Sequence, residues 1–236
     1  MNQPAAARLR DEGGAIARTL RTPTAAACAG ILFAALTLTA TLLLRFAIPA
    51  GAVEAGQFAV DEHTASLIKW AAMIAPFAGI CFLWFVGVVR YRLGDREDRL
   101  FSTVLLGSGF VLVALMFTSM SLLAALVIAV DAGLAPTGDT VMMVGALWDV
   151  LLVDYATRMA GVFTLAVTTL GLRTGVLPVW LAVVGYLAAA AMLLAPFGVH
   201  YVENLFPLWV AAMSVYALVK IRSTPAWRQT DVGVAS

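Results

Sequence analysis

The sequence predicts an all-α fold: an integral membrane bundle of six transmembrane helices with the N and C termini cytoplasmic. Three observations lead there. Hydrophobic residues make up 62% of the chain and charged residues 12%, whereas about a quarter of a soluble domain is charged. The apolar residues gather into six runs, at about 25–49, 67–89, 101–130, 141–172, 177–197 and 205–218, and a membrane helix needs roughly 20 of them. The basic residues are sided. Arg8, Arg10, Arg18, Arg21, Arg90, Arg92, Arg96, Arg99, Arg173, Lys220, Arg222 and Arg228 share one side of that path, which is 12 of the 15 Lys and Arg. The opposite connections hold Glu54, Asp61, Glu62, Asp131, Asp139 and Glu203 and no Lys or Arg, so the positive-inside rule orients the chain.

Residues 1–23 read as a cytoplasmic basic arm, 24–220 as the membrane domain and 221–236 as a cytoplasmic tail. The first run exceeds the roughly 7–15 apolar residues of a signal core and Arg45 follows it, so it reads as an uncleaved span. The second has Lys69 and Trp70 at its entrance and Pro76 inside, where the missing N–H predicts a kink. A charged turn, Arg90–Leu100, leads to the third, whose Thr118, Ser119 and Ser121 read as interhelical hydrogen-bonding groups.

The fourth run is the centre of the design. From Thr140 to Leu172 a single helix is about 50 Å long, against roughly 30 Å of hydrocarbon, so it projects outward and places Trp148 and Asp149 at or above the outer interface. Arg173, Gly175 and Pro178 end it. The fifth run is rich in Ala, with Gly185 and Ala189 spaced for close helix contact, and the sixth is short and contains Pro207. Ala75-Pro76-Phe77 is echoed by Ala195-Pro196-Phe197, yet both fall toward the outer side, which argues against an inverted repeat. Cys28 and Cys81 sit inside apolar runs and read as buried small hydrophobes outside any disulfide.

Charges inside apolar runs mark the candidate site. Asp154 and Arg158 are four apart on one helix face. That face continues through Thr157, Gly161, Thr164 and Thr168 as a small, polar stripe that belongs inside a bundle rather than against lipid. Asp149, Arg45 and Lys69 fall at a similar depth. Two readings stand. In one, these groups form a water-accessible site in the outer half that binds an anionic or zwitterionic group or relays a proton. In the other, Asp154 and Arg158 are an intrahelical ion pair holding the bundle together, while Arg45 and Lys69 snorkel to the headgroups. Asp149 stands about 180° from Arg158 at roughly 100° per residue and needs a different partner.

Other constellations are weaker. Glu62, His63, His200 and Glu203 lack the spacing of a metal or hydrolase centre and read as loop solvation, with the two His a source of pH sensitivity. Arg92, Asp95, Arg96, Glu97, Asp98 and Arg99 form either a solvated turn or a docking surface for a cytoplasmic partner or anionic headgroups. Gly107-Ser108-Gly109 is not a nucleophile elbow. No catalytic, cofactor or metal-binding residue is assigned, and no basic patch suits a nucleic acid.

Two stretches carry a resemblance. Phe82-Leu83-Trp84-Phe85-Val86-Gly87-Val88-Val89-Arg90 with Arg92-Leu93-Gly94-Asp95-Arg96-Glu97-Asp98-Arg99-Leu100-Phe101 resembles the junction between the second and third spans in a family of uncharacterised bacterial six-span membrane proteins. Tyr155-Ala156-Thr157-Arg158-Met159-Ala160-Gly161-Val162-Phe163 and Leu172-Arg173-Thr174-Gly175 are similar to it as well. The resemblance implies a topology and a bacterial plasma membrane, and no activity.

Three functional classes follow. A non-catalytic accessory or scaffold subunit of a membrane assembly suits the small size, short loops and charged turn. A small secondary transporter or permease suits the charges near Asp154 and Arg158, with Pro76 and Pro207 marking deformable helices. An intramembrane lipid-acting enzyme would need a nucleophile or metal set that the motifs do not supply. The expected partners are the lipid bilayer and either another membrane protein or further copies of the chain.

Overall fold

The computed structural model describes residues 23–53, 55, 58–93 and 99–223. The arm 1–22, the tail beyond 223, Glu54 and residues 94–98 lie outside the described residues, as do the side chains of Arg92 and Arg99. The whole candidate docking turn (Arg92, Asp95, Arg96, Glu97, Asp98 and Arg99) therefore has no structural account.

Every regular element among the described residues is helical. The order is α1 (Pro23–Ala47), α2 (Glu62–Leu93), α3 (Arg99–Asp131), α4 (Gly138–Asp149), a π-helical segment (Val150–Ala156), α5 (Thr157–Arg173), α6 (Val179–Leu194), a 3-10 turn (Val202–Asn204) and α7 (Leu205–Ser223). Five stretches are long and apolar enough to cross a membrane: Thr24–Ala47, Glu62–Arg90, Leu100–Asp131, Gly138–Arg173 and Val202–Arg222. Such a set is the signature of an integral membrane protein.

Local chemistry sets the helix ends. The carboxylate of Asp61 accepts from the backbone N–H of Thr64 at 2.8 Å and so caps the start of α2. The Thr64 hydroxyl and this N–H hold the Asp61 carboxyl below its ordinary range. Ala195 precedes Pro196 and adopts an extended ψ of 131°, which ends α6 after 16 residues. The helix is thus shorter than the expected run to 197. The sixth run is longer than expected, reaching Ser223, because Pro207 sits in the first turn of α7, where its missing N–H costs little. Pro76 lies within α2, which stays helical on both sides of it.

Sequential helices pack as antiparallel neighbours. α1 lies on α2 and α7, α2 on α3, α3 on α5, and α5 on α6. At mid-bundle Phe33, Phe82, Phe163 and Phe206 bring one ring each from α1, α2, α5 and α7, with centroids 4.9–5.8 Å apart and mostly edge to face. A second core, toward the α1 C-terminus, is built from Leu44, Ile48, Ile68, Leu123 and Trp148. Trp148 is 1% exposed, so its ring faces protein rather than headgroups.

The fourth run is the most enclosed, with 56% of its most apolar window buried against 33–44% in the other four. Thr157, Gly161, Thr164 and Thr168 are all buried, so the polar stripe does face inward. Gly161 admits α6 closely: a Cβ there would lie 2.9 Å from Leu193 and 3.3 Å from the Ala189 carbonyl. Cys28 is exposed on the bundle exterior and Cys81 half-buried, so the surroundings of Cys28 are not protein, contrary to the expected burial. Thr118, Ser119 and Ser121 bond the carbonyls of Ala114, Met116 and Phe117 in their own helix rather than a neighbour.

All carboxylates among the described residues gather toward the end where α1 finishes and α7 begins, while Arg90, Arg173, Lys220 and Arg222 lie toward the other. These are called the acidic and basic ends below.

Candidate functional site

The fourth run is not one uniform α-helix. Between α4 and α5, Val150–Ala156 is π-helical. A π turn bonds i to i+5 and widens the helix, and such bulges concentrate at functional sites. Asp149 and Asp154 are five apart across this segment. In an α-helix they would diverge, but across a π turn they come round toward one side. Both are buried, at 7% and 3% exposure.

One short segment, residues 195–203, meets the charges of the fourth run and of α1. Arg158 Nη1 donates to Asp154 Oδ1 at 3.2 Å and to the Asp154 carbonyl at 2.9 Å. Its Nη2 donates to the Ala195 carbonyl at 3.2 Å, an orphan acceptor at the end of α6. The guanidinium also stands 4.5 Å from the centroid of the Phe197 ring. Further along, His200 Nδ1 lies 3.7 Å from Asp149 Oδ1. Arg45 Nη2 then donates to Glu203 Oε1 at 2.5 Å, with its Cζ 5.5 Å from the centroid of the Tyr201 ring. Tyr201 itself has φ +75°, a left-handed conformation uncommon for a non-glycine residue.

The predicted residues thus separate. Asp154, Arg158, Asp149 and Arg45 each meet the 195–203 segment or a residue that does. Thr157 is buried beside them and donates from Oγ1 to the Leu152 carbonyl at 3.3 Å, within the π segment. Lys69 lies elsewhere: it pairs with Asp131 at 2.7 Å, both side chains about half exposed. Asp149 meets His200 rather than Arg158.

Two of the weaker expectations are corrected. His200 and Glu203 are not loop-solvating groups, because their side chains are 12% and 8% exposed and meet Asp149 and Arg45. Arg45 does not snorkel outward, since Glu203 holds it at 12% exposure. Glu62 and His63 are exposed, though in the first turn of α2 rather than in a loop.

A small cavity of about 40 Å³ adjoins the cluster, lined in part by Thr37, Thr41, Leu152, Thr157 and Glu203. Glu203 Oε2 and Thr37 Oγ1 are buried there without a hydrogen-bond partner.

No family model, no curated protein and no solved structure matches this chain. What the site does must come from its own chemistry. Three carboxylates, Asp149, Asp154 and Glu203, face two guanidiniums and one imidazole, so the group is one positive charge short whenever His200 is neutral. Arg158 is the most accessible member, its side chain 25% exposed. It presents a planar set of N–H donors suited to a carboxylate. Among the described residues no three His, Cys, Asp or Glu side chains group as metal ligands.

Proposed function

We propose that the chain is a small secondary transporter or permease of six spans, with both termini cytoplasmic and its solute site at the buried ionic cluster around Asp154 and Arg158 in the outer half of the membrane. One observation carries this reading: two buried carboxylates, Asp149 and Asp154, bracket most of a π-helical break in the most enclosed span. Ionisable groups inside spans are costly and usually face a cavity or a partner. Irregular helix at that depth is tolerated where it is enclosed by protein or lines a cavity. The solute class favoured is anionic or zwitterionic, since Arg158 is the accessible cation and its present partners include a mere carbonyl. Withdrawal of the 195–203 segment would free Nη2 of that guanidinium and uncover Asp149.

The test is solid-supported-membrane electrophysiology on proteoliposomes, stepping pH together with mixed amino acids and organic acids. Wild-type protein is expected to give transient currents, and Asp154→Asn, still inserted and monodisperse, none. Equal currents in both would remove Asp154 as the coupling residue. No current at all, with a fixed-ratio partner retained in a mild-detergent pull-down, would favour the accessory-subunit reading instead.

A further inference from the structure

We propose that the bundle takes up one acyl chain of an anionic phospholipid in a second, larger cavity at its basic end, with the headgroup at Lys220. The inference goes beyond the transport reading and does not depend on it; it needs only that the spans lie in a bilayer.

The cavity measures about 390 Å³ and opens between α1, α2, α5 and α7. Its volume falls within the roughly 300–1,000 Å³ of small-molecule sites. The wall is apolar, with Ala26, Phe85, Val89, Met213, Ala217 and Ile221 among the lining residues. Ser214 adjoins the same space but lends it no polar atom, because its Oγ is buried against Gly30. Water against such a wall finds few of the two to four polar partners it needs. Left empty, the wall forfeits its dispersion contacts. An apolar cavity of roughly 150 Å³ takes up benzene, and on that scale this one has room for a chain of roughly ten to fifteen carbons.

Shape and charge together choose the occupant. The cavity follows α7 from Met213 to Lys220, a rise of about 10 Å, so a chain can enter end on. Tyr216 and Lys220 stand at the mouth, the ammonium 5.7 Å from the centroid of the Tyr216 ring. Trp180 of α6 meets that ring edge to face, with centroids 6.2 Å apart. Trp, Tyr and Lys gather at headgroup depth in a bilayer, which sets the apolar wall beneath them at the depth of the acyl chains. Arg90, Arg173 and Arg222 lie toward the same end, and among the described residues no carboxylate does. Basic pockets between spans bind anionic headgroups. A free phosphate gains nothing from the wall, and a zwitterionic lipid gains little from the cationic rim. An anionic lipid uses both.

Photocrosslinking in reconstituted vesicles tests this, with a phosphatidylglycerol that carries a diazirine at the end of one acyl chain. The matching phosphatidylcholine is the comparison. In wild type, adducts are expected on Val89 and Met213, several-fold more from phosphatidylglycerol. Val183 and Leu187 face outward, report the bulk bilayer, and are expected to label equally from both lipids. Ala217→Phe, which fills the cavity, is expected to lose the inner adducts and keep the outer ones. Lys220→Gln, at an exposed position, is expected to bring the inner phosphatidylglycerol adducts down to the phosphatidylcholine level. Equal inner labelling by the two lipids in wild type overturns the proposal. So do adducts confined to the outward face, and inner adducts that survive Ala217→Phe. Should Ala217→Phe not fold, Lys220→Gln decides alone, and an undiminished excess of phosphatidylglycerol adducts there overturns the proposal. Inner adducts from a diazirine fatty acid that excess phosphatidylglycerol does not displace would make the occupant a free acid and would likewise overturn it. Absent transport currents with the inner adducts intact would remove the transport reading alone.

Discussion

Arg158 has acceptors of two kinds, a charged one four residues back in its own chain and a neutral one on another helix. The first was legible in the sequence, because residues four apart on a helix meet whatever surrounds them. The second was not. Ala195 turns its carbonyl toward Arg158 because Pro196 drives it out of helical conformation, and nothing in the spacing says which side chain will find that acceptor. The same holds for Glu203 and His200, whose partners Arg45 and Asp149 are remote in sequence; a loop with no Lys or Arg of its own gave no hint that it would pair. Burial makes the Arg158 contacts consequential. Arg158→Met alone strands Asp154, 5% exposed at its side chain, and is expected to destabilise the protein by about 3–5 kcal/mol. The double replacement Asp154→Leu with Arg158→Met leaves no stranded charge and should cost markedly less. Denaturant unfolding in detergent of both variants checks this, and equal losses would mean that the pair does not act as a unit.

At the scale of elements the π segment has the largest effect. The hydrophobic run and the inward-facing stripe from Thr157 to Thr168 were legible, since both follow from a period of 3.6. The extra residue of the π turn was not, because Val150-Leu151-Leu152-Val153-Asp154-Tyr155-Ala156 carries no Gly or Pro to announce a break. Its consequence is rotational: everything N-terminal to it, Trp148 and Asp149 included, is turned relative to α5. Deleting Val150, which is 37% exposed, should restore α-helical bonding and swing those two side chains by about 100°. The expected result is the loss of the Asp149–His200 contact and of Trp148 from the second core, a destabilisation of about 3 kcal/mol or more. Deleting Thr140, in the exposed first turn of α4, should cost far less. Thermal unfolding compares the two, and a neutral Val150 deletion would show that the break is incidental.

Across the whole molecule, composition and charge siding foretold the helical bundle because both report on the solvent rather than on particular contacts. They placed helices and polar ends, and left open the packing that a tetrad of Phe rings and close contacts at Gly161 then supply. The separation of an acidic from a basic end makes a topological prediction. In a Cys28→Ala, Cys81→Ala background, Ala132→Cys at the acidic end is expected to react with a membrane-impermeant maleimide in intact cells. Val176→Cys at the basic end is expected to react only after permeabilisation, and the reverse pattern would invert the assigned orientation. Helix α6 carries a consequence for the bilayer itself. Its 16 residues span about 24 Å, beside neighbours that match or exceed the roughly 30 Å of hydrocarbon. Its outward face, with Val179, Trp180, Val183, Leu187 and Leu194, is well exposed. In the proposed six-span topology, lipid on that flank thins by several ångströms at a fraction of a kcal/mol for each, and the protein wears a one-sided dimple. Two molecules that turn these flanks together share one dimple in place of two, and a thinner membrane removes the incentive.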